Sequence, residues 1–242
     1  MAVASTRLFV FTLFPLLLAW IVVRFDSTSS SRMRRLEVLM IFLFALMVGG
    51  GGIANFFAHF FLSDRVATFI GWEAGSPFQL EVAFANLAMG VLGIVAVGRR
   101  DGFREATVLA VTIFSVGATI VHLMDIAVTG NLAPGNSVQN VINLARPVLL
   151  IWALRASRSA EADPKTVNEN AALVRWRAPL RHVSGQLTIT IATAYGIGFA
   201  IDLPWLLTIV GAVSGIGLVL AALHRSPLHD VTLRKSKSSR SA

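Results

Sequence analysis

An all-α, polytopic bundle of membrane-spanning helices, about seven spans long, is the fold class this chain predicts, and three observations predict it. Apolar residues make up 55% of its 242 positions and charged residues 14%, with a mean hydropathy of +0.70, far from the balance of a soluble domain. Continuous apolar stretches of the roughly 17–25 residues that cross a bilayer as a helix recur along the chain, without the alternation of barrel strands. Every Lys and Arg except Arg7, Arg65 and Arg146 lies in alternate connections between those stretches or in the tail. Cytoplasmic loops retain such charge, so the N-terminus is expected outside and the C-terminus inside a cell (inner) membrane.

The first stretch, 8–23, follows Arg7 as a secretory signal would, but Arg24 and Asp26 stand where a small-residue cleavage site belongs. It reads as a retained helix, leading with its cytoplasmic loop (24–36) through residues 1–36. Segments 37–62, 78–98, 105–127 and 137–154 form a four-helix core spanning 37–155. A cytoplasmic loop (156–186) and a helical hairpin (187–202 and 205–223) follow, the hairpin turning at Asp202-Leu203-Pro204. The tail, 224–242, carries Arg234-Lys235-Ser236-Lys237 and Arg240, a pattern that suits anionic lipid headgroups. The net charge of +8 is thereby accounted for by topology and lipid, and no nucleic-acid partner is called for. Gly211 and Gly215 form a small-residue pattern for helix association, within the chain or between copies in a homo-oligomer. Gly49–Gly52 permit close packing in segment 2, or a break whose free carbonyls line a cavity.

Ionisable groups inside a bilayer cost about 2.5–3.5 kcal/mol each on insertion scales, so those present call for partners or functions. Asn55 and His59, spaced i and i+4, share a face of segment 2. Glu81 and Asn86 stand on segment 3, His122 and Asp125 share a face of segment 4, and Asn140, Asn143 and Arg146 stand on segment 5. With alternate helices antiparallel, the two His, Glu81 and Asp125 fall at one outer depth. Arg146, the most expensive of them, is expected to pair with Glu81 or Asp125. Loop 63–77, with Trp72 between Gly71 and Gly75, is placed to lid this cluster, and Gly130–Asn136 reads as a tight turn with Asn136 as N-cap.

The string Gly71-Trp72-Glu73-Ala74-Gly75-Ser76-Pro77-Phe78-Gln79-Leu80-Glu81, with Phe84-Ala85-Asn86-Leu87, His122-x-x-Asp125 and Asn131-x-x-Pro134-Gly135-Asn136, resembles an uncharacterised family of bacterial and archaeal integral membrane proteins. The resemblance covers residues 38–155. It implies a four-helix core to which the first, sixth and seventh segments are additions, and it brings no activity with it. Arg146 departs from the family pattern.

The absence of cysteine excludes disulfides, thiolate metal sites and cysteine nucleophiles, and signatures of nucleotide binding, serine hydrolysis and zinc proteolysis are missing. No lysine lies in an apolar segment to bind retinal, since Lys165, Lys235 and Lys237 are all cytoplasmic. No cofactor is named and neither an enzyme nor its exclusion follows. Three functions remain. Glu81, Asn86, His122, Asp125, Asn143 and Arg146 form an outward-facing polar cluster suited to ion or small-solute transport, the leading expectation. His59 and His122, completed by Asp125 and Glu81, would instead hold a metal or a haem. The same groups, as a network locking helices together, would suit a structural or accessory membrane subunit.

Overall fold

The computed structural model describes residues 7–25 and 31–163, together with 186, 188, 190, 191 and 193–198, and every described element is helical. A π-helical run, Phe9–Leu13, leads into α1 (Phe14–Phe25). Helix α2 (Arg32–Phe61) is α-helical over Arg32–Phe42, π-helical over Leu43–Gly50 and α-helical again over Gly51–Phe61. The short α3 (Ser63–Ile70) is followed by α4 (Phe78–Gly98), α5 (Gly102–Thr129) and α6 (Val138–Glu161).

Local chemistry sets the boundaries. The Ser31 hydroxyl accepts from the Arg34 N–H to open α2, and the Asp101 carboxylate accepts from the Phe103 N–H to open α5. Gly71 and Gly130, at φ 83° and 70°, close α3 and α5 in the left-handed conformation that other residues avoid.

Helices α2, α4 and α5 are each long and apolar enough to cross a membrane. The most apolar window of α2 is 89% buried, against 33% for α4 and for α5, so α2 is the central post and the others stand around it. From Met40 to Leu46 its side chains are at most 1% exposed. Helix α6 occupies the fifth predicted segment and runs on to Glu161, but Asn140, Asn143 and Arg146 interrupt its apolarity and it is not among the three. The N-terminal apolar helix, Phe9–Arg24, is shorter. Most of the hairpin 187–223, the greater part of loop 156–186, the basic tail and the Gly211/Gly215 pair lie outside the described residues.

In lipid, apolar side chains gain little by leaving one apolar medium for another, so close packing must hold the helices together. The glycine run supplies it. A Cβ on Gly52 would stand 2.5 Å from the Gly90 nitrogen, and one on Gly93 would stand 2.6 Å from the Gly49 nitrogen, so α2 and α4 meet backbone to backbone. The packing reading of the run is what the structure shows: the helix continues unbroken through the glycines, and Gly51 and Gly52 also border a cavity.

The end of the bundle where α2 begins and α6 finishes is tied by ion pairs. Arg104 and Glu37, 2% and 1% exposed, meet through two bonds of 2.9 Å, and Arg104 Nε also donates to the Ala96 carbonyl at 3.2 Å. The Phe44 ring lies 5.5 Å from the guanidinium carbon. Arg100 and Arg158 each reach Glu161 at 2.7 Å, and Arg158 also binds Glu105. Read from sequence as a loop charge, Arg104 is a core residue bonded across three helices.

Candidate functional site

The opposite end is built on amides around one carboxylate. Asp125, on the last turn of α5, accepts through Oδ2 from Trp72 Nε1 at 2.9 Å, Asn131 Nδ2 at 2.9 Å and Asn136 Nδ2 at 2.8 Å. Asn131 also donates to the Ile70 carbonyl, and the Gly135 N–H donates to that of Phe69, so the turn after α5 is stitched to the end of α3. The Trp72 ring stacks on His122 at 5.2 Å, placing loop 63–77 over the cluster as a lid.

This network also fixes a tautomer. A carboxylate oxygen only accepts, so the Asn136 amide nitrogen faces Asp125 and its oxygen faces His122 Nδ1, 2.7 Å away. His122 Nδ1 therefore carries a proton and donates it to Asn136. His59 repeats the arrangement, with Nδ1 2.6 Å from the Gln79 amide oxygen.

Beneath the lid lies a cavity of about 660 Å³, within the size range of small-molecule sites. His59, His122, Gln79, Asn55, Asn86, Gln139, Asn143 and Arg146 line it together with Arg7. Asn86 hands one hydrogen bond to the next: its Oδ1 accepts from Asn55 Nδ2 at 3.1 Å, and Asn55 Oδ1 accepts from Arg7 Nη2 at 2.6 Å. Arg146 Nε donates to the Thr12 hydroxyl at 3.3 Å. Arg7 and Thr12, five residues apart, share one side of the N-terminal helix because the π run Phe9–Leu13 widens the turn between them. Gln139 Nε2 bonds Asn143, while Gln139 Oε1 is buried without a partner.

Two expectations are corrected. Arg146 pairs with neither Glu81 nor Asp125. Asp125 is saturated by its own lid and turn, and Glu81 is exposed, off the α4 face that carries the buried Gln79, Ala83, Asn86 and Gly90. Two residues from Gln79 is about 200° around a helix, which turns Glu81 away from the core. The four groups assigned to a metal shell are not assembled either: no group of three or more His, Asp or Glu able to hold a metal occurs among the described residues. His59 and His122 do line the same cavity, while Glu81 is not part of its wall.

Sequence reasoning passed over Arg7, Thr12, Gln79 and Gln139. A signal for the first was present. Of the three basic residues that escape the charge bias, Arg65 is exposed and the other two, Arg7 and Arg146, line the cavity.

The chain belongs to DUF6790, a family of unknown function whose model matches residues 7–163. That range takes in the first helix, which the sequence resemblance leaves outside, and it begins at Arg7 of the cavity wall. No curated protein and no solved structure matches the chain.

Proposed function

We propose that this DUF6790 member is a multi-pass membrane transporter whose cavity binds a small anionic solute, the amide end facing outward as the positive-inside bias favours. One observation carries the reading. Arg7 and Arg146 stand in the wall of one cavity where, among the described residues, an amide and a hydroxyl are their hydrogen-bond partners. Guanidinium stays charged in proteins, and a charge within a bilayer is retained where it meets a counter-charge or a ligand. Among the described residues Glu73 is the one acid lining the cavity, and it is exposed in the lid loop. An anion between the two arginines supplies the missing charge, and the surrounding amides supply neutral donors that do not compete with it.

Of the cluster expected to serve transport, Asn86, His122, Asn143 and Arg146 line the cavity, while Asp125 ties loop 63–77 to the turn after α5. Transport is tested in proteoliposomes loaded with chloride, acetate, inorganic phosphate or a short alkyl phosphate. Saturable flux of one of these is expected, lost in Arg146→Gln and kept in Arg65→Gln. Flux of cations only, or anion flux indifferent to Arg146, rejects the reading.

A further inference from the structure

We propose that the anion is the head of an amphiphile, a phosphate monoester on a single apolar chain, which enters sideways from the bilayer between α4 and α5. This rests on the anion-binding reading above and names its substrate class.

The shape of the cavity is the first argument. Ile113 and Val121 of α5 line it, yet are 65% and 52% exposed, so the space they border continues to the outside of the bundle. A Cβ placed on Gly117, between them, would meet no atom within 4 Å. Ile113 lies about 17 Å along α5 at 1.5 Å per residue, near the middle of a hydrocarbon layer about 30 Å thick. An opening at that depth faces acyl chains. Across it α4 presents Val82 and Met89, and α5 adds Phe114 and Ala118, so the wall nearest the opening is mostly apolar, with Ser115 contributing a hydroxyl.

The distribution of charge is the second. The cationic groups sit on the far wall, against α2. Arg7 bonds Asn55, and the Arg146 Nη1 lies 3.8 Å from where a Gly51 Cβ would be. Asn55 and Gly51 are one turn apart on α2, about 6 Å along its axis, so the two guanidiniums grip at neighbouring heights. Two positive charges on one stretch of wall match a phosphate monoester, which carries about −1.5 to −2 at neutral pH and three acceptor oxygens. A carboxylate would balance one of them. A ligand with its phosphate against α2 and its chain running out between α4 and α5 meets a matching surface along its whole length.

The test is equilibrium binding to the full chain in lipid nanodiscs, with hexadecyl phosphate, ethyl phosphate, hexadecanoate and hexadecanol as probes. Hexadecyl phosphate is expected to bind most tightly. Arg146→Gln and Arg7→Gln should each weaken both phosphates by about tenfold or more, the scale of one charge-assisted pair. Gly117→Phe, which fills open space and threatens no packing, should weaken hexadecyl phosphate alone. Equal binding of the two phosphates, untouched by Gly117→Phe, overturns the sideways-entering amphiphile and leaves the anion reading standing. Hexadecanoate binding as well as hexadecyl phosphate overturns the phosphate head. Hexadecanol matching hexadecyl phosphate, with no effect of either arginine, overturns this inference and the anion reading together.

Discussion

Arg104 and Arg146 sit in the same bundle and are treated in opposite ways. Arg104 is sealed between helices, held by both oxygens of Glu37 and a backbone carbonyl, over an aromatic ring. Arg146 opens onto a cavity where, among the described residues, the Thr12 hydroxyl is its hydrogen-bond partner. The ion-paired end has its charges cancelled in place, which suits a joint that does not change. Among the described residues the cavity arginines form no ion pair, which suits a site that waits for something. Burial does not separate the two roles; the presence of a counter-charge does.

The largest effect should come from breaking the joint. Glu37→Ala strands Arg104 in the core, and losing one partner of a buried pair costs about 3–5 kcal/mol. A marked fall in the melting temperature in detergent is expected, mostly restored when Arg104→Met is added; a double variant as unstable as the single one would show that the pair is not the cause.

The backbone gives the next test, because the cavity has one rigid wall and one open one. Gly52→Ala drives a Cβ into the Gly90 backbone of α4 and should cost about 1–3 kcal/mol. Gly117→Ala on α5 meets nothing, and should stabilise by about 0.5–1 kcal/mol through helix propensity. Equal losses at the two glycines, measured by thermal unfolding, would erase the contrast between the walls.

Arg146→Met sharpens the comparison most directly. No carboxylate is left behind, and an intramembrane charge worth about 2.5–3.5 kcal/mol on insertion scales is removed. Stability should hold or rise while anion binding is lost. A fall matching that of Glu37→Ala would place a counter-charge beside Arg146 after all.

The smallest effect lies at the exposed turn before α5. The Arg99 guanidinium, and then the Phe103 N–H, hold the Asp101 carboxyl below its ordinary pKa. Its folded value is depressed, so its contribution is fully present above the unfolded pKa and is lost as pH falls through the folded one. The protection of the Phe103 amide, measured as its exchange rate relative to the intrinsic rate at each pH, should fall as the buffer is taken below that range, and Asp101→Asn, which keeps a capping oxygen, should flatten the response.

Much of the fold could be read from hydropathy, because an apolar run long enough to span a bilayer has few alternatives to a helix. Segment 78–98 coincides with α4, and segments 37–62 and 105–127 fall within a few residues of α2 and α5. The short α3 escaped, since Val66, Ala67 and Ile70 are too few to show a period and the residues around them read as a loop. The site was visible in part. Spacing put Asn55 with His59 and His122 with Asp125, and the lid role of loop 63–77 followed from its position. Depth alone could not tell which way a residue faces around its helix, and that is where Glu81 went astray. Nor could spacing reveal that Arg7 and Arg146 line one cavity, a juxtaposition of residues far apart in the chain that only packing brings about.

The π run within α2 makes the length of this helix negotiable at one place only. A π turn closes over five residues where an α turn closes over four, so Leu43–Gly50 carries slack that the stretches on either side lack. Dropping a single residue there lets the turn relax to ordinary α geometry with Glu37 below and Asn55 above still aimed as before. The same deletion beyond Gly50 rotates everything after it by about 100° and swings His59 off Gln79. Single-residue deletions among related chains should therefore be tolerated ahead of Gly49 within this run and purged on both sides of it.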